Sequence, residues 1–517
     1  MLMKQTASST AAPVILLESV FVVAACGLVY ELVAGAVSSY IMGNAVTQFS
    51  LVVGVFLSSM GIGSFLAKYI RRNLLKAFIE IEIWIALIGG SSSMIMFMIS
   101  AFADDLFPIF FYGLCISIGV LIGIEIPLIV RIVKERHGFS GAVSNVLALD
   151  YIGALVGSLL FPLVVLPYLG LSRASVVFGI MNLSVAAAGW YLLTEKRKSL
   201  LIKMIATGLV LLLTLMFSGR LVGFLEDLLY QDSIIYSKDT RYQRIVLTRW
   251  RDDVRLYLNG HIQFSSIDEA RYHEALVMPA MAACPTARSV LILGGGDGMA
   301  AREVLKYEGV QSITLVDIDP VITDLGKTRK ELLALNGDAL KSDKVRIHNV
   351  DAMIFLKDSR DFFDVILIDL PDPNTPSLTK LYSKAFYTLC FRRLNLGGVL
   401  STQATSPFYA RNAFWCIVHT MTAAGRSMVG LSDMMFLPYH LNVPSFGEWG
   451  FVLASRRPVD PRRLSIRVPT RFLTDDVMQA MFNFGRDMAP HGEMKINRID
   501  RPVLYEYYRK GWRAFNE

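Results

Sequence analysis

At 517 residues the chain exceeds one ordinary domain, and with 53% hydrophobic residues and a mean hydropathy of +0.46 it is too apolar for a wholly water-exposed enzyme. The formal net charge of +7 is modest and falls partly in short loops between apolar stretches, a pattern of membrane topology rather than of nucleic-acid binding. Cys26, Cys115, Cys284, Cys390 and Cys416 are scattered without metal-ligand spacing, which argues against a disulfide framework and against a zinc site.

The apolar excess lies in residues 14–218. A spanning helix needs about 20 apolar residues, and seven candidates follow one another: 14–40, 46–69, 75–102, 106–130, 142–168, 172–193 and 200–218. Met1 to Pro13 carries no cleavage pattern, so no signal peptide is expected. Small residues such as those of Met60-Gly61-Ile62-Gly63-Ser64 suit close helix packing in lipid. Lys68/Arg71/Arg72/Lys76, Arg131/Lys134/Arg136 and Lys196/Arg197/Lys198/Lys203 form three basic loops, with Asp104 and Asp105 in an intervening one. The positive-inside rule puts the basic loops and the N-terminus in the cytoplasm, and seven spans then put everything after residue 220 outside. The expected exception is either the last span, with Leu200 to Phe217 re-entrant, or one long segment that forms a hairpin. Glu18, Glu31, Glu80, Glu82, Glu125 and Asp150 lie in or beside the spans; they either pair near the interfaces with groups such as Arg131, or line a cation-binding cavity.

Residues 221–230 read as an amphipathic connector. Alternating strands are expected at 233–238, 243–250, 254–258 and 261–264, with Asn259-Gly260 as a hairpin turn, followed by a helix over 268–282. Within the division 1–220, 221–285 and 286–517, the third part alternates strand and helix. Strands are expected at 289–294, 312–318, 345–350, 363–369, 397–403, 427–436 and 449–455, and helices at 298–307, 320–335, 380–394 and 409–424. Two closing strands with no helix between them match a methyltransferase-type sheet. The tail beyond 470 is expected only to pack. The fold class is thus a multi-pass α-helical membrane domain followed by an α/β methyltransferase-like Rossmann domain with a small N-terminal antiparallel β-sheet.

Four expected strand ends carry chemistry. Ser289 to Leu293 runs into Gly294-Gly295-Gly296-Asp297-Gly298, a turn in which a ligand can approach the backbone. Asp317, about twenty residues on, is placed to accept ribose hydroxyls. Asp351-Ala352 follows the third strand, within reach of an adenine. Asp364 to Leu370 ends in two acids, Asp369 and Asp372, with Pro371 and Pro373 fixing the turn. Together they point to an adenosine-type ligand. There is no Walker lysine, and a pyrophosphate would meet Asp297. A sulfonium ligand with an ammonium group suits these acids, and the Asp369/Asp372 pair adds a second cation site suited to an amine.

With these residues in place, the chain resembles the polyamine aminopropyltransferases (the spermidine synthase family), in their membrane-fused bacterial branch. The resemblance rests on Tyr242-Gln243, Tyr272-His273-Glu274, Gly294 to Gly298, Asp317-Ile318-Asp319, Asp351-Ala352, Asp369-Leu370-Pro371-Asp372-Pro373, Leu381-Tyr382-Ser383 and Gly447-Glu448-Trp449-Gly450-Phe451. In the membrane half it includes Tyr30 to Gly35, Gln48-Phe49-Ser50 and Met60 to Ser64. It implies transfer of an aminopropyl group from decarboxylated S-adenosylmethionine, a co-substrate rather than a cofactor, to an amine, by default putrescine. The products are spermidine and 5′-methylthioadenosine, and no metal is required. By match, Gln243, Gly294, Gly296, Asp297, Asp317, Asp351 and Ala352 bind the donor. Asp369 is the catalytic acid/base, Tyr272 orients the amine, and His273, Glu274 and Asp372 line the acceptor pocket. Leu370-Pro371 between the acids, Asn259 where Asp is common, and the lack of a tyrosine in Asn442 to Phe446 depart from the family pattern on the acceptor side.

The competing readings are an S-adenosylmethionine-dependent methyltransferase and a membrane polyamine transporter or sensor whose soluble half binds without turnover. The resemblance also implies a homo-oligomer. The expected location is the cell (inner) membrane. Donor supply calls for a cytoplasmic catalytic domain, and that expectation is preferred to the span count.

Overall fold

The computed structural model describes the chain except residues 1–2, 43–44, 103–105, 138–141, 192–196, 231, 429–433, 493 and 517. Asp104, Asp105 and Lys196 lie outside the described residues, as do the side chains of 221–230. The chain divides into two compact units, Met1–Asp232 and Ser233–Glu517.

The first unit is helical: α1 (Met3–Met42), α2 (Ala45–Leu66), α3 (Leu74–Phe102), α4 (Phe107–His137), α5 (Ala142–Leu160), α6 (Leu166–Tyr191) and α7 (Lys198–Tyr230). Among the described residues six of its segments are long and apolar enough to cross a membrane. One of them, Val143–Tyr191, has 49 residues, about 74 Å of helix against a hydrocarbon core of about 30 Å. It breaks at Gly170, where φ is 69° and ψ is 174°. Before the break α5 runs in the direction of α1: Gly153 packs on Phe21 and Gly157 on Ala25. After it α6 runs against α3, with Ser175 hydroxyl-bonded to Ser93 at 2.5 Å and Gly189 packed on Ile79. Because the short loops reverse the chain between α1 and α3, these pairings make it double back at Gly170. No re-entrant break interrupts α7, a continuous helix of 33 residues, so the expectation of a re-entrant last span is not met.

Glycine sets the closest approaches. A Cβ on Gly63 of α2 would sit 2.1 Å from the Val120 carbonyl oxygen of α4, and one on Gly123 the same distance from that of Met60. The neighbouring Gly61 faces nothing within 4 Å, so only one glycine of that motif makes the contact.

The second unit opens with an antiparallel sheet in sequential order: β1 (Ser233–Asp239), β2 (Arg244–Trp250), β3 (Asp253–Leu258) and β4 (His261–Ser265). Asn259 and Gly260, at φ 51° and 83°, form the hairpin turn between the last two. After α8 (Glu269–Ala283) come β5 (Ser289–Gly294), α9 (Met299–Leu305), β6 (Ser312–Val316), α10 (Pro320–Thr328), α11 (Lys330–Asn336), β7 (Val345–His348), α12 (Ala352–Asp358) and β8 (Phe363–Asp369). They are followed by α13 (Lys384–Arg392), β9 (Leu394–Gln403), α14 (Arg411–Arg426), β10 (Met435–Val443), β11 (Gly447–Ser455), α15 (Asp475–Ala480) and α16 (Val503–Asn516). The seven-stranded sheet has the order β10-β11-β9-β8-β5-β6-β7. It is parallel from β9 to β7, with β10 and β11 antiparallel at the other edge.

The central strands are covered on both faces, which is why they read as continuous apolar runs. In β5, Val290 and Ile292 enter one core while Leu291 and Leu293 enter the other. Three local expectations shift. The helix expected over 320–335 breaks at Arg329, where the backbone is extended and the guanidinium donates to the Ile235 carbonyl. Of the strand expected at 427–436, residues 429–433 lie outside the described residues; α14 ends at Arg426 and the described strand runs Met435–Val443. Helix α12 was not expected; the carboxylate of Asp351 caps it, accepting from the Met353 and Ile354 N–H groups.

Candidate active site

The site lies outside the carboxyl ends of β5, β6 and β8, where an open parallel sheet leaves a crevice. Gly294 ends β5 at φ 86°, and a Cβ there would sit 1.9 Å from the Asp369 carbonyl oxygen. The N–H of Gly295 donates to that oxygen at 3.2 Å, joining the turn to the end of β8. A Cβ on Gly296 would stand 2.6 Å from Asp317 Oδ2, the oxygen that accepts the Gly296 N–H at 3.1 Å. Asp317 also accepts from the Asp319 N–H. Burial pushes its carboxyl up to about 6 against those two bonds. Asp297 accepts from the Met299 N–H at the start of α9. Gln243 donates to Asp319 at 3.2 Å, so the small sheet contributes to the same rim. Asp351 is ion-paired with Lys380 at 2.8 Å; burial would raise its carboxyl, but Lys380 and the α12 N–H groups hold it below its ordinary value.

At the end of β8 the Tyr272 hydroxyl of α8 donates to Asp369 Oδ1 at 2.8 Å. His273 Nε2 stands 4.0 Å from Asp369 Oδ2. Burial pushes the Asp369 carboxyl up to about 6; the His273 charge and the Tyr272 hydroxyl oppose that and Asp297 adds to it. The other ring nitrogen of His273 faces Glu269 Oε2 at 3.0 Å. Burial would lower the His273 pKa, but Glu269 outweighs it and pushes it up to about 9, so the ring is an imidazolium at neutral pH. Glu269 is held by Arg302 at 3.0 and 2.9 Å and by Arg471 at 2.9 Å. Burial alone would raise Glu269, yet His273 and Arg302 bring it down to about 2.

The second acid, Asp372, accepts the Thr405 hydroxyl at 3.2 Å on Oδ2, while its buried Oδ1 has no hydrogen-bond partner. Burial pushes its carboxyl up to about 6, against Tyr508, Gln403 and Thr405. The loop between the acids is pinned by its carbonyls: Tyr382 donates to Leu370 and Pro371, and Gln403 donates to Leu370. Thr405 holds φ 60°, a costly conformation for a β-branched residue, next to Asp372.

This arrangement offers a partly ionised, phenol-bonded carboxylate beside a glycine turn, with a second half-satisfied acid three residues away. Residues 269–460 match the Spermine/spermidine synthase domain. A polyamine aminopropyltransferase of Leptospira interrogans is 46% identical over 497 residues, covering 96% of this chain and 98% of its own. The chain belongs to the polyamine aminopropyltransferase family. One from Oceanobacillus iheyensis is 43% identical over 96% of each chain, and one from Mycobacterium tuberculosis 37% over 96% of each. A solved spermidine synthase in complex with the transition state analogue AdoDATO is 26% identical, covering 49% of this chain and 85% of that one, at a TM-score of 0.43.

The protein is thus an aminopropyltransferase, and its sequence-expected residues do not all converge. Tyr272, His273, Asp369 and Asp372 gather at the end of β8; Gly294, Gly296, Asp297 and Asp317 gather at the glycine turn; Gln243 reaches that rim through Asp319. Asp351 and Ala352 start α12 beyond β7. Glu274 stands apart: its carboxylate accepts the N–H groups of Arg471, Phe472 and Leu473, so it clamps that segment rather than facing the acid pair. Gln403, Thr405 and Tyr508 were missed. The first two mark the end of β9, another parallel strand, and the rule used for the other ends reaches them. Tyr508 comes from α16 and had no local signal.

Proposed function

We propose that this aminopropyltransferase moves the aminopropyl group of decarboxylated S-adenosylmethionine to putrescine, giving spermidine and 5′-methylthioadenosine. The observation that carries the reading is the Tyr272–Asp369 hydrogen bond at 2.8 Å beside Asp372. The acceptor amine must be neutral to attack. Its nitrogen bonds to the aminopropyl carbon as the carbon–sulfur bond breaks, and the sulfur keeps the electron pair as a neutral thioether. The new ammonium gives its proton to Asp369. Tyr272 fixes the rotamer of that carboxylate, and Asp372 holds the distal ammonium of the diamine. On the donor side Asp297 faces the donor's ammonium, Asp317 takes the ribose hydroxyls, Asp351 and Ala352 border the adenine, and Gln243 steadies the rim. Holding amine and carbon together supplies most of the rate. Glu274 is left out of the acceptor pocket, since the backbone of 471–473 occupies it. A methyltransferase acting on a neutral group has no use for the acid pair, and a non-catalytic sensor has none for the Tyr272–Asp369 bond.

The pH profile tests the roles. Asp369 works ionised, and burial puts its carboxyl at about 6. The value of kcat/KM should therefore fall as pH drops through about 6. His273→Gln removes a positive charge that lowers the Asp369 pKa, so the acidic limb should move to higher pH. An unmoved limb would exclude Asp369 as its source.

For the first unit we propose seven crossings of the cell membrane, with Val143–Tyr191 counted twice. We assign the catalytic unit to the cytoplasm, where the donor is made, although the basic loops would then violate the positive-inside rule. A reporter fused after residue 517 should be active only as a cytoplasmic marker; an exported reporter would overturn the assignment.

A further inference from the structure

The C-terminal helix α16 (Val503–Asn516) lies beyond residues 269–460, the stretch that matches the synthase domain. Most of its pattern is packing. Leu504, Tyr508, Gly511 and Trp512 recur at helical spacing on its inner face, while Glu506, Arg509, Lys510 and Arg513 are exposed. Packing does not account for the Tyr508 hydroxyl, which donates to the carboxyl of Asp372.

Two attachments put that hydroxyl in place. At the start of the helix Leu504 is 0% exposed and gives its N–H to Asn497 Oδ1 at 3.5 Å. Asn497 in turn donates to the carbonyls of Thr379 and Tyr382 at 2.8 and 3.1 Å. Tyr382 is the residue whose hydroxyl pins the Leu370 and Pro371 carbonyls, just before Asp372. One turn beyond Tyr508, a Cβ on Gly511 would stand 2.6 Å from Ala410 Cα, and Trp512 stacks on Tyr409 with ring centroids 5.0 Å apart. Tyr409 and Ala410 close the short segment that begins at Thr405, whose hydroxyl reaches Asp372 at 3.2 Å. The helix is therefore seated on the loop that carries Asp372 and on the segment that binds it.

Asp372 needs such support. Burial favours its neutral form, and Tyr508, Gln403 and Thr405 oppose that by donating to the carboxylate. A neutral carboxyl would not attract an ammonium. Of the three donors the phenol is the most acidic, and so the best suited to an anion. Oδ1 remains buried without a partner, and an ionised oxygen in that condition calls for a cation. We propose that Tyr508 is a positioning residue for the acceptor: through Asp372 it secures the place of the distal ammonium, and α16 thereby makes the transferase selective for diamines over monoamines. The inference rests on the reading that Asp372 holds that ammonium.

The test is Tyr508→Phe in the full-length protein, with spermidine formation as the readout. The variant loses the hydroxyl and keeps the ring that packs beside Trp512. The KM for putrescine should rise about tenfold, the scale of a lost hydrogen bond to a charged group. The kcat and the KM for decarboxylated S-adenosylmethionine should stay within about twofold of the parent, because neither chemistry nor donor is touched. n-Butylamine has the same chain and one amine but no distal ammonium, so its inhibition constant against putrescine should also stay within about twofold. A putrescine KM equal to the parent's would reduce Tyr508 to packing and overturn the inference. A loss shared by n-butylamine, or a fall in kcat or donor affinity, would mark a general distortion of the site and overturn it too. Failure of the parent itself to form spermidine would instead overturn the catalytic reading beneath it.

Discussion

Asp369→Asn should lower kcat by about 10²- to 10⁴-fold, the range of a lost general base. The amide keeps the shape and can still accept the Tyr272 hydroxyl, now bonded at 2.8 Å, but it cannot take a proton. Binding of 5′-methylthioadenosine should change by less than about threefold, because the donor contacts proposed above come chiefly from the glycine turn and Asp317; a shift of that size is under about 1 kcal/mol. Tyr272→Phe should cost less, about tenfold, the worth of one hydrogen bond to a charged group. Undiminished turnover by Asp369→Asn would remove the proton acceptor from the mechanism. A parallel loss of methylthioadenosine binding would show that Asp369 shapes the donor pocket instead.

Glu269→Gln should be the most destabilising single change in the second unit, by about 3–5 kcal/mol, because it strands buried positive partners. Glu269 is 0% exposed and joins His273 to Arg302. Arg471 adds little, since 58% of its side chain is exposed. The pH dependence has a definite sign. His273 is raised from 6.5 to about 9, so its contribution is complete below 6.5 and is lost as pH rises through about 9. Glu269 is lowered from 4.5 to about 2, so its contribution is present above 4.5 and is lost as pH falls through about 2. Denaturant unfolding of the parent should therefore show stability declining between pH 6.5 and 9, and Glu269→Gln should flatten that decline. A variant with the parent's stability, or with the same alkaline slope, would contradict the network. His273 then links the two predictions, because the charge that Glu269 sustains is one that keeps Asp369 from rising further.

The acids at strand ends were legible because each follows an apolar run that only a buried parallel strand explains. Gly294 to Gly298, Asp317 and Asp369 were therefore located before their partners were known. The Glu269–Arg302–His273 network was not legible. Glu269 and Arg302 meet at 2.9 Å although 33 residues separate them, and nothing local marks the pair. Glu274 was placed near the acceptor pocket only by the family resemblance; successive residues of a helix point in different directions, and its carboxylate meets the 471–473 segment. Tyr508 lies in a tail whose pattern indicated only packing, yet it reaches Asp372. In the helical unit the apolar runs gave the spans, and the division expected between 142–168 and 172–193 falls at Gly170, where the helix breaks.

The central claim is tested most directly by product mass. Purified full-length protein is incubated with decarboxylated S-adenosylmethionine and a panel of amines, and in parallel with S-adenosylmethionine itself. The account predicts spermidine and 5′-methylthioadenosine in equal amounts from the decarboxylated donor with putrescine, and no S-adenosylhomocysteine from the other. Release of S-adenosylhomocysteine, or no aminopropylated product from any amine, would contradict it.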